Sequence, residues 1–263
     1  MTEFLFFSLL LGIVSGLLAG LFGIGGGLVI VPVLVVLLTH QGFPAEQVML
    51  MSVATSLAII VLTAISSVIA HHRLGSVAWI KVRNLSPGIV VGAALGAVLA
   101  QQIPATGLRY ILIVFLIYVA IQMALQIKPK PGPTKQPLTM DIIVSMIIGL
   151  LSTIVGIGGG TLTVPYLVQG QMPMRNAVAV AAACGLPIAI AGTISYTLLG
   201  LNAGNMPVGS LGYIYLPAIA SVGLSSICTA PLGARLTHKL PAQKLKRYFS
   251  ILLFLMAAKL LWF

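Results

Sequence analysis

Two short glycine clusters have the residue types and the spacing that suit ligand chemistry. Residues 23–27 read Gly-Ile-Gly-Gly-Gly, residues 156–160 repeat this order, and a proline follows each cluster five residues later. Each glycine destabilises a helix by about 1 kcal/mol relative to alanine, so a helix is expected to be interrupted at each cluster. We call residues 23–27 the first glycine break and residues 156–160 the second. A helix that restarts after such a break presents unpaired N–H groups and the positive end of its dipole. These groups bind anions without a charged side chain.

Hydroxyl side chains accompany the breaks. Thr161 and Thr163 directly follow the second break, while Thr55 and Ser56 lie together in a long apolar segment of the first half. Each hydroxyl could donate a hydrogen bond to an anion or simply bond a carbonyl of its own helix. The predicted substrate-binding residues are Gly23, Gly25, Gly26, Gly27, Leu28, Thr55, Ser56, Gly156, Gly158, Gly159, Gly160, Thr161 and Thr163.

Other interpretations of the glycine breaks stay open at this point. Glycine also lets helices cross closely in lipid, so the breaks could serve packing with no ligand. A nucleotide-binding loop is disfavoured, because no strand, no following lysine and no acidic ribose partner accompanies the glycines. Cys184 and Cys228 lie in apolar runs and are expected to be buried thiols, and we predict no cofactor and no metal site.

The composition places these residues in a membrane. Hydrophobic residues make up 59% of the 263-residue chain and charged residues only 6%, with a mean hydropathy of +1.13. Segments 48–70, 108–125 and 178–201 are each long enough to cross a hydrocarbon core of about 30 Å. The predicted class is an all-α polytopic membrane protein with about eight transmembrane segments. Its net charge of +11 favours basic loops on one side of a bilayer over a nucleic-acid partner.

The chain consists of two related halves. The glycine breaks recur at an offset of about 133 residues, close to half the chain length. Residues 1–127 are predicted to form the first repeat, a broken helical hairpin followed by three spans. Residues 140–263 repeat this plan. Residues 128–139, rich in proline and lysine, are predicted to be a stiff cytoplasmic linker.

The basic residues predict how the repeats are oriented. Twelve of the 14 Lys and Arg fall in four loops: Arg73, Lys81, Arg83; Lys128, Lys130, Lys135; Arg175; and Arg235, Lys239, Lys244, Lys246, Arg247. All four loops share the cytoplasmic side only if each glycine-broken segment enters the membrane and returns as a hairpin. The repeats are then inverted, as in many secondary transporters whose substrate site lies near the midplane. The short second arms favour hairpins of partial depth.

Smaller signals concern helix packing and titratable groups. Gly88, Gly92 and Gly96 recur every four residues, a spacing that lets two helices approach closely. His71 and His72 at the end of a span are expected at the membrane interface. The carboxylates all lie near segment ends: Glu3, Glu46 and Asp141. We expect none within the membrane, which disfavours coupling to protons or cations through a carboxylate.

These motifs resemble those of the sulfite exporter TauE/SafE family of membrane transporters. The likeness covers essentially the whole chain. It rests on the two breaks with their prolines, on Ala54-Thr55-Ser56-Leu57 and on the span that contains Gly92 and Gly96. The corresponding patch of the second half reads Ala183-Cys184-Gly185-Leu186, so the Thr-Ser pair is not repeated. The resemblance implies a carrier of a small anion such as sulfite, an organosulfonate or a related carboxylate.

The expected function is secondary transport or facilitated passage of a small anion, by alternating access at the interface of two inverted repeats. The expected location is the cell (inner) membrane, with the basic loops cytoplasmic. A passive anion channel is the alternative, because it differs from a carrier in rate rather than in residues. An intramembrane enzyme is disfavoured, because the membrane segments offer neither a nucleophile with a base nor a metal set. The predicted partners are a small anionic substrate and the lipid bilayer, with no nucleic acid and the oligomeric state left open.

Overall fold

The chain folds into a bundle of helices in a computed structural model, which describes residues 2–23, 25–125, 137–201, 203–204, 206–236 and 242–262. The helices of the first half are α1 (Thr2–Phe22), α2 (Gly27–His40), α3 (Ala45–Arg73), α4 (Trp79–Gln102) and α5 (Ala105–Ala124). Those of the second half are α6 (Leu138–Val155), α7 (Gly160–Gln169), α8 (Met174–Gly200), α9 (Leu216–Ala218), α10 (Leu224–Leu236) and α11 (Ala242–Leu261).

Seven helical stretches within the described residues are long and apolar enough to cross a membrane. They are α1, α3, α4, α5, α6, α8 and the continuous stretch Leu216–Leu236, in which a π-helical turn (Ile219–Gly223) joins α9 to α10. The loop before α9 contains a small antiparallel ladder of β1 (Ser210–Leu211) and β2 (Ile214–Tyr215). The predicted all-α polytopic membrane class is confirmed.

The long helices α3 and α8 lie at the centre of the bundle. Within their apolar stretches, 83% of the residues of α3 and 67% of those of α8 are buried, against at most 44% for the other candidate spans. Side chains that face lipid remain exposed in a protein without its membrane, so this difference separates inner from outer helices. The outer helices therefore surround a core built on α3 and α8.

The helices that restart after the breaks are short. α2 has 14 residues and α7 has 10, which corresponds to about 21 and 15 Å at 1.5 Å per residue. A helix that crosses the hydrocarbon core needs about 20 residues. Each second arm is therefore shorter than the core is thick.

Hydrogen bonds between elements identify one end of the bundle. Arg175, in the first turn of α8, donates to Ser76 Oγ at 2.9 Å and to the carbonyl of Leu74 at 3.1 Å, both in the loop after α3. Arg73 at the end of α3 and Arg235 in the last turn of α10 line one cleft. We call the end of the bundle that carries Arg73, Arg175 and Arg235 the basic end. Helices α3 and α10 finish there, and α8 begins there.

Other hydrogen bonds identify the opposite end of the bundle. The side-chain amide of Gln47, in the first turn of α3, donates to the carbonyl of Gly204 at 3.4 Å, in the loop after α8. The amide of Gln101, at the end of α4, donates to the hydroxyl of Tyr213 at 3.3 Å. Helix α4 therefore runs from the basic end to the opposite end.

The second glycine break reverses the chain. Asp141, in the first turn of α6, binds Lys81 near the start of α4, with Nζ 2.7 and 2.8 Å from its two carboxylate oxygens. The hydroxyl of Tyr166, in the second half of α7, donates to the same carboxylate at 2.6 Å. Helix α6 thus leaves the basic end and α7 returns toward it, which is the path of the predicted hairpin.

Glycine stripes let helices of opposite halves pack backbone to backbone. Three glycines of α4 face three carbonyl oxygens of α6: Gly88, Gly92 and Gly96 against Ile142, Met146 and Leu150. Three glycines of α1 face three carbonyl oxygens of the π turn and α10: Gly12, Gly16 and Gly20 against Val222, Ser226 and Ala230. Residue numbers increase together in both pairs, so both pairs are parallel. Such close approach permits Cα–H···O contacts, which help to hold membrane helices together.

The parallel pairs fix the direction of the first helix in each half. Helix α1 follows α10 toward the basic end and so begins at the opposite end, whereas α6 begins at the basic end. The first break also turns the chain back, because a Cβ atom on Gly26 would lie 2.8 Å from the carbonyl oxygen of Ser15 in α1. These directions support the inverted relation of the repeats, which stays a prediction. Most of the predicted linker 128–139 lies outside the described residues, and α6 begins at Leu138 within it.

Candidate functional site

The two glycine breaks meet in the interior of the bundle. A Cβ atom built on Gly25 would lie 3.2 Å from the Cα atom of Gly158. One built on Gly27 would collide with the carbonyl of Gly156 and would lie 2.8 Å from the Cα atom of Ile157. The breaks therefore touch through their backbones, and side chains at these positions would push them apart.

Each break also packs against the long central helix of the other half. A Cβ atom on Gly23 would lie 2.6 Å from the carbonyl oxygen of Val178 in α8. A Cβ atom on Gly156 would lie 2.9 Å from the Cα atom of Val53 in α3. The site is thus assembled from both halves, and neither half could form it alone.

Unpaired backbone donors gather where the breaks meet. Val29 and Ile30 donate to the carbonyl of Gly26, and Leu162 and Thr163 donate to that of Gly159, as expected for the first turns of α2 and α7. The preceding N–H groups have no helical acceptor. Among the described residues, the structure gives them no hydrogen-bond partner; they belong to Gly25, Gly26, Gly27, Leu28, Gly158, Gly159, Gly160 and Thr161.

Two hydroxyls beside the second break are buried and unsatisfied. Thr161 Oγ1, in the first turn of α7, has no hydrogen-bond partner within the described part of the chain, and neither does Ser152 Oγ in α6. A Cβ atom on Gly159 would lie 3.2 Å from Ser152 Oγ, so this hydroxyl borders the break. Buried hydroxyls are normally hydrogen-bonded, and a set of unsatisfied ones suits a ligand or water.

Three other predicted hydroxyls are already engaged. Ser56 donates to the carbonyl of Gly156 at 2.8 Å and so ties α3 to the second break. Thr163 donates to the carbonyl of Gly159 at 2.9 Å, within its own hairpin arm. Thr55 Oγ1 accepts the backbone N–H of Tyr215 at 2.9 Å and so ties α3 to β2. These side chains position the backbone around the breaks, whereas the Thr161 hydroxyl has no partner among the described residues.

A cavity of about 10 Å³ lies beside the first break. Its lining combines Gly23 and Gly25 with Thr63 and Ser67 of α3 and with Gly185 of α8. Ser67 Oγ has no partner among the residues that the structure describes. This volume is about that of one water probe. Among the described residues, the backbones of the two breaks are therefore in contact, and the cavity beside them is about the size of one water molecule.

Ser67 and Thr63 are not among the predicted site residues, although the sequence contains a signal for them. Polar residues recur on one face of α3 at helical spacing, and all of them are buried: Ser52, Ser56, Thr63, Ser67 and His71. This polar stripe runs from the level of the breaks toward the basic end. Periodicity within an otherwise apolar helix would have identified it.

The two histidines lie in the last turn of α3, as predicted, but their environments differ. His71 is 1% exposed, and its Nε2 atom lies 3.3 Å from the carbonyl oxygen of Gly20 in α1. His72 is exposed and accepts a hydrogen bond from the indole of Trp79 at 3.2 Å. The two side chains leave α3 about 100° apart, so one faces the core and the other the surface. The prediction of two buried thiols is confirmed for Cys184 and is wrong for Cys228, which is exposed on the face of α10 that turns away from the core.

Asp141 lies near a segment end as predicted, but it is buried. Asp141 is 1% exposed. The ammonium group of Lys81 lies within hydrogen-bond distance of its carboxylate and neutralises the negative charge. Tyr166 completes this group, with the Lys81 ammonium 5.7 Å from its ring centre. Hydropathy could not anticipate the burial, because the sequence gives no sign that residues 81 and 141 pair.

The comparisons with known proteins agree in pointing to membrane transport. Residues 8–260 match the family model described as "Sulfite exporter TauE/SafE". A probable membrane transporter protein of Haemophilus influenzae is 39% identical over 259 residues, which cover 98% of each chain. A probable membrane transporter protein of Methanocaldococcus jannaschii is 29% identical over 249 residues, which cover 93% of this chain and 91% of the relative. No solved structure matches the chain.

Proposed function

Because the chain belongs to the TauE/SafE family and is a multi-pass membrane transporter protein, we propose that it moves a small anion through a site at the paired glycine breaks. The proposed substrate is sulfite, an organosulfonate or a related small carboxylate. Transport proceeds by alternating access between the two halves, in the inner membrane, with the basic end in the cytoplasm.

The observation that carries this proposal is the meeting of two helix N-termini with unpaired donors. Helices α2 and α7 begin at the breaks, and each contributes four N–H groups without a recorded partner among the described residues. The dipoles of α2 and α7 add positive potential at the same place. Thr161 and Ser152 supply hydroxyl donors beside the second break. An oxyanion accepts several hydrogen bonds at once, so this set of donors is complementary to it.

Local charge also favours an anion. The buried carboxylate of Asp141 is paired with Lys81, which leaves little net negative charge to oppose an anionic substrate. A cation carrier usually places a carboxylate at its substrate site. The donors at the breaks are instead backbone N–H and hydroxyl groups.

The closed packing of the breaks favours a carrier over an open channel. With Gly25 and Gly158 in backbone contact, a substrate enters only after the first and second hairpins separate. Each hairpin packs on the central helix of the other half, so separation of the breaks requires the two halves to move relative to each other. This is the motion that alternating access requires.

Flux in proteoliposomes tests the proposal. The purified protein is reconstituted and offered labelled sulfite, taurine-like sulfonates, sulfate and small carboxylates, with protein-free liposomes as the control. We expect saturable uptake of at least one anion, and faster uptake when the same unlabelled anion is trapped inside. Uptake that rises linearly with concentration and shows no counterflow would instead support the channel. Absence of flux for every anion would contradict the proposed substrate class.

A further inference from the structure

A second cavity lies at the basic end, away from the glycine breaks. It is a cleft of about 210 Å³ between the C-terminal ends of α3 and α10, which belong to different halves of the chain. Arg73 and Arg235 line it together with apolar residues such as Ile69, Leu74 and Pro231. We call it the arginine cleft. Its volume is about twenty times that of the cavity at the breaks, so it has room for a ligand.

The two arginines give the cleft an uncompensated positive charge. Within the part of the chain that the structure describes, the recorded ion pair is Lys81–Asp141, and neither Arg73 nor Arg235 has a carboxylate in range. Both side chains are exposed, so neither is held in a core. Arginines at the ends of helices complement the helix dipole, but that role does not require two of them to share one cleft. Two guanidinium groups together match the oxygens of a phosphate.

The surroundings of the cleft are those of a lipid-facing surface. Ile65 and Ile69 of α3 are 43% and 48% exposed, and Leu232 of α10 is 50% exposed. These apolar side chains continue from the arginines along the outer faces of membrane-spanning helices. A molecule with a phosphate at one end and acyl chains at the other would contact both the charged and the apolar part. A free inorganic anion would use only the arginines.

We propose that the arginine cleft binds the phosphate headgroup of an anionic phospholipid from the leaflet at the basic end. Arg73 and Arg235 hold the phosphate, and the acyl chains lie along Ile65, Ile69 and Leu232. Because the cleft is formed by α3 of the first half and α10 of the second, the lipid bridges the two halves. This inference does not depend on the identity of the transported substrate.

Thermal unfolding of the purified protein in a neutral detergent tests the proposal. Phosphatidylglycerol, phosphatidylcholine with the same acyl chains, and inorganic phosphate are each titrated into the sample. The variant R73Q/R235Q removes both arginines of the cleft. The matched control R83Q/R247Q also removes two exposed arginines but leaves the cleft intact. Native mass spectrometry counts the phosphatidylglycerol molecules that each protein retains.

We expect phosphatidylglycerol to raise the Tm of the wild type and of R83Q/R247Q more than phosphatidylcholine does. In R73Q/R235Q this difference should disappear, and the protein should retain fewer phosphatidylglycerol molecules. Equal responses of the two double variants would overturn the proposal. So would a rise in Tm with inorganic phosphate as large as that with phosphatidylglycerol, because the ligand would then be a free anion. A wild type that does not distinguish the two lipids would also contradict it.

Discussion

At the residue scale, the conformation of single glycines decides whether the breaks can exist. Gly26 has φ +80°, a left-handed conformation that costs an L-residue about 1–2 kcal/mol. Gly42, in the loop after α2, has φ +77°, but a Cβ atom there would meet nothing within 4 Å. A Cβ atom on Gly26 would instead lie 2.8 Å from the carbonyl oxygen of Ser15. An alanine at Gly42 therefore meets only the cost of the left-handed backbone, whereas an alanine at Gly26 also meets the crowding at the first break.

We therefore expect Gly26→Ala to abolish anion flux and Gly42→Ala to leave it nearly unchanged. Both variants should insert into the membrane and elute as single species from size-exclusion chromatography, because most of the bundle is unaffected. Flux per mole of reconstituted protein is the measurement. If both variants transported equally well, close packing at the first break would not be required for function.

Thr161 is one of the two hydroxyls beside the second break that have no hydrogen-bond partner among the described residues. Replacing it with valine keeps the shape and removes one donor, which costs about 1 kcal/mol, or about fivefold in affinity. Thr163 lies two residues later, but its hydroxyl already bonds the carbonyl of Gly159. Thr161→Val should therefore raise the apparent KM for the anion about fivefold, and Thr163→Val should raise it less. Concentration-dependent flux measures both. An unchanged KM in Thr161→Val would exclude Thr161 as a substrate ligand.

The sequence was most informative about residues where glycine chemistry leaves few alternatives. The repeated Gly-Ile-Gly-Gly-Gly predicted both breaks, since no helix tolerates four glycines in five positions without cost. It could not predict that Ser56 bonds the carbonyl of Gly156, 100 residues away. Such pairings depend on the rotation of each helix about its own axis, which tertiary packing sets.

At the element scale, hydropathy predicted the segments and packing determined their lengths. The predicted segment 48–70 is α3 (Ala45–Arg73), and the predicted short second arm of the second hairpin is α7 (Gly160–Gln169). The largest difference is in α4: hydropathy predicts a basic connector over residues 71–84 and an apolar span only after it, but the helix begins at Trp79. Lys81 belongs to that early part of α4. A hydropathy scale scores a charged residue in the first turn of a helix as a loop residue. Here the ion pair with the buried carboxylate of Asp141 explains why Lys81 lies within the helix.

The group of Lys81, Asp141 and Tyr166 joins α4, α6 and α7 at the basic end. Lys81→Met leaves the carboxylate of Asp141 buried and unpaired, a change that costs about 3–5 kcal/mol. Asp141→Asn should cost less, because the side chain of Lys81 is 21% exposed and can turn toward water. Tyr166→Phe removes one hydrogen bond to a charged group and should cost about 1.5–3 kcal/mol.

Thermal unfolding in detergent should rank these variants, with Lys81→Met the least stable of the two charge variants. The double variant Lys81→Met/Asp141→Asn should recover part of the loss, because no unpaired charge remains in it. Lys81→Met and Asp141→Asn with equal stability would mean that the carboxylate reaches water without its partner. That result would contradict its burial at 1% exposure.

At the scale of the whole molecule, contacts between the halves support the organisation that the duplicated sequence predicted. Helix α1 packs in parallel with α10, and α6 packs in parallel with α4, so each hairpin is held by the other half. The spacing of Gly88, Gly92 and Gly96 indicated the second pair. The equal spacing of Gly12, Gly16 and Gly20 is the corresponding signal for the first pair. What the sequence could not supply was the partner of each stripe, because a glycine pattern does not specify the surface it faces.

The positive-inside rule makes the orientation of the whole molecule testable. Met174, in the first turn of α8 at the basic end, and Val208, 98% exposed in the loop at the opposite end, are both accessible. Single cysteines are introduced at these positions after Cys184 and Cys228 are replaced with alanine. Since Lys and Arg favour the cytoplasmic side, an impermeant maleimide should label Val208→Cys in intact cells and Met174→Cys only after the membrane is permeabilised. The cysteine-free protein is the control for background labelling.

Labelling of both cysteines in intact cells would contradict the path of α8 across the membrane. Labelling of Met174→Cys alone would reverse the orientation, and the arginine cleft would then face the outer leaflet.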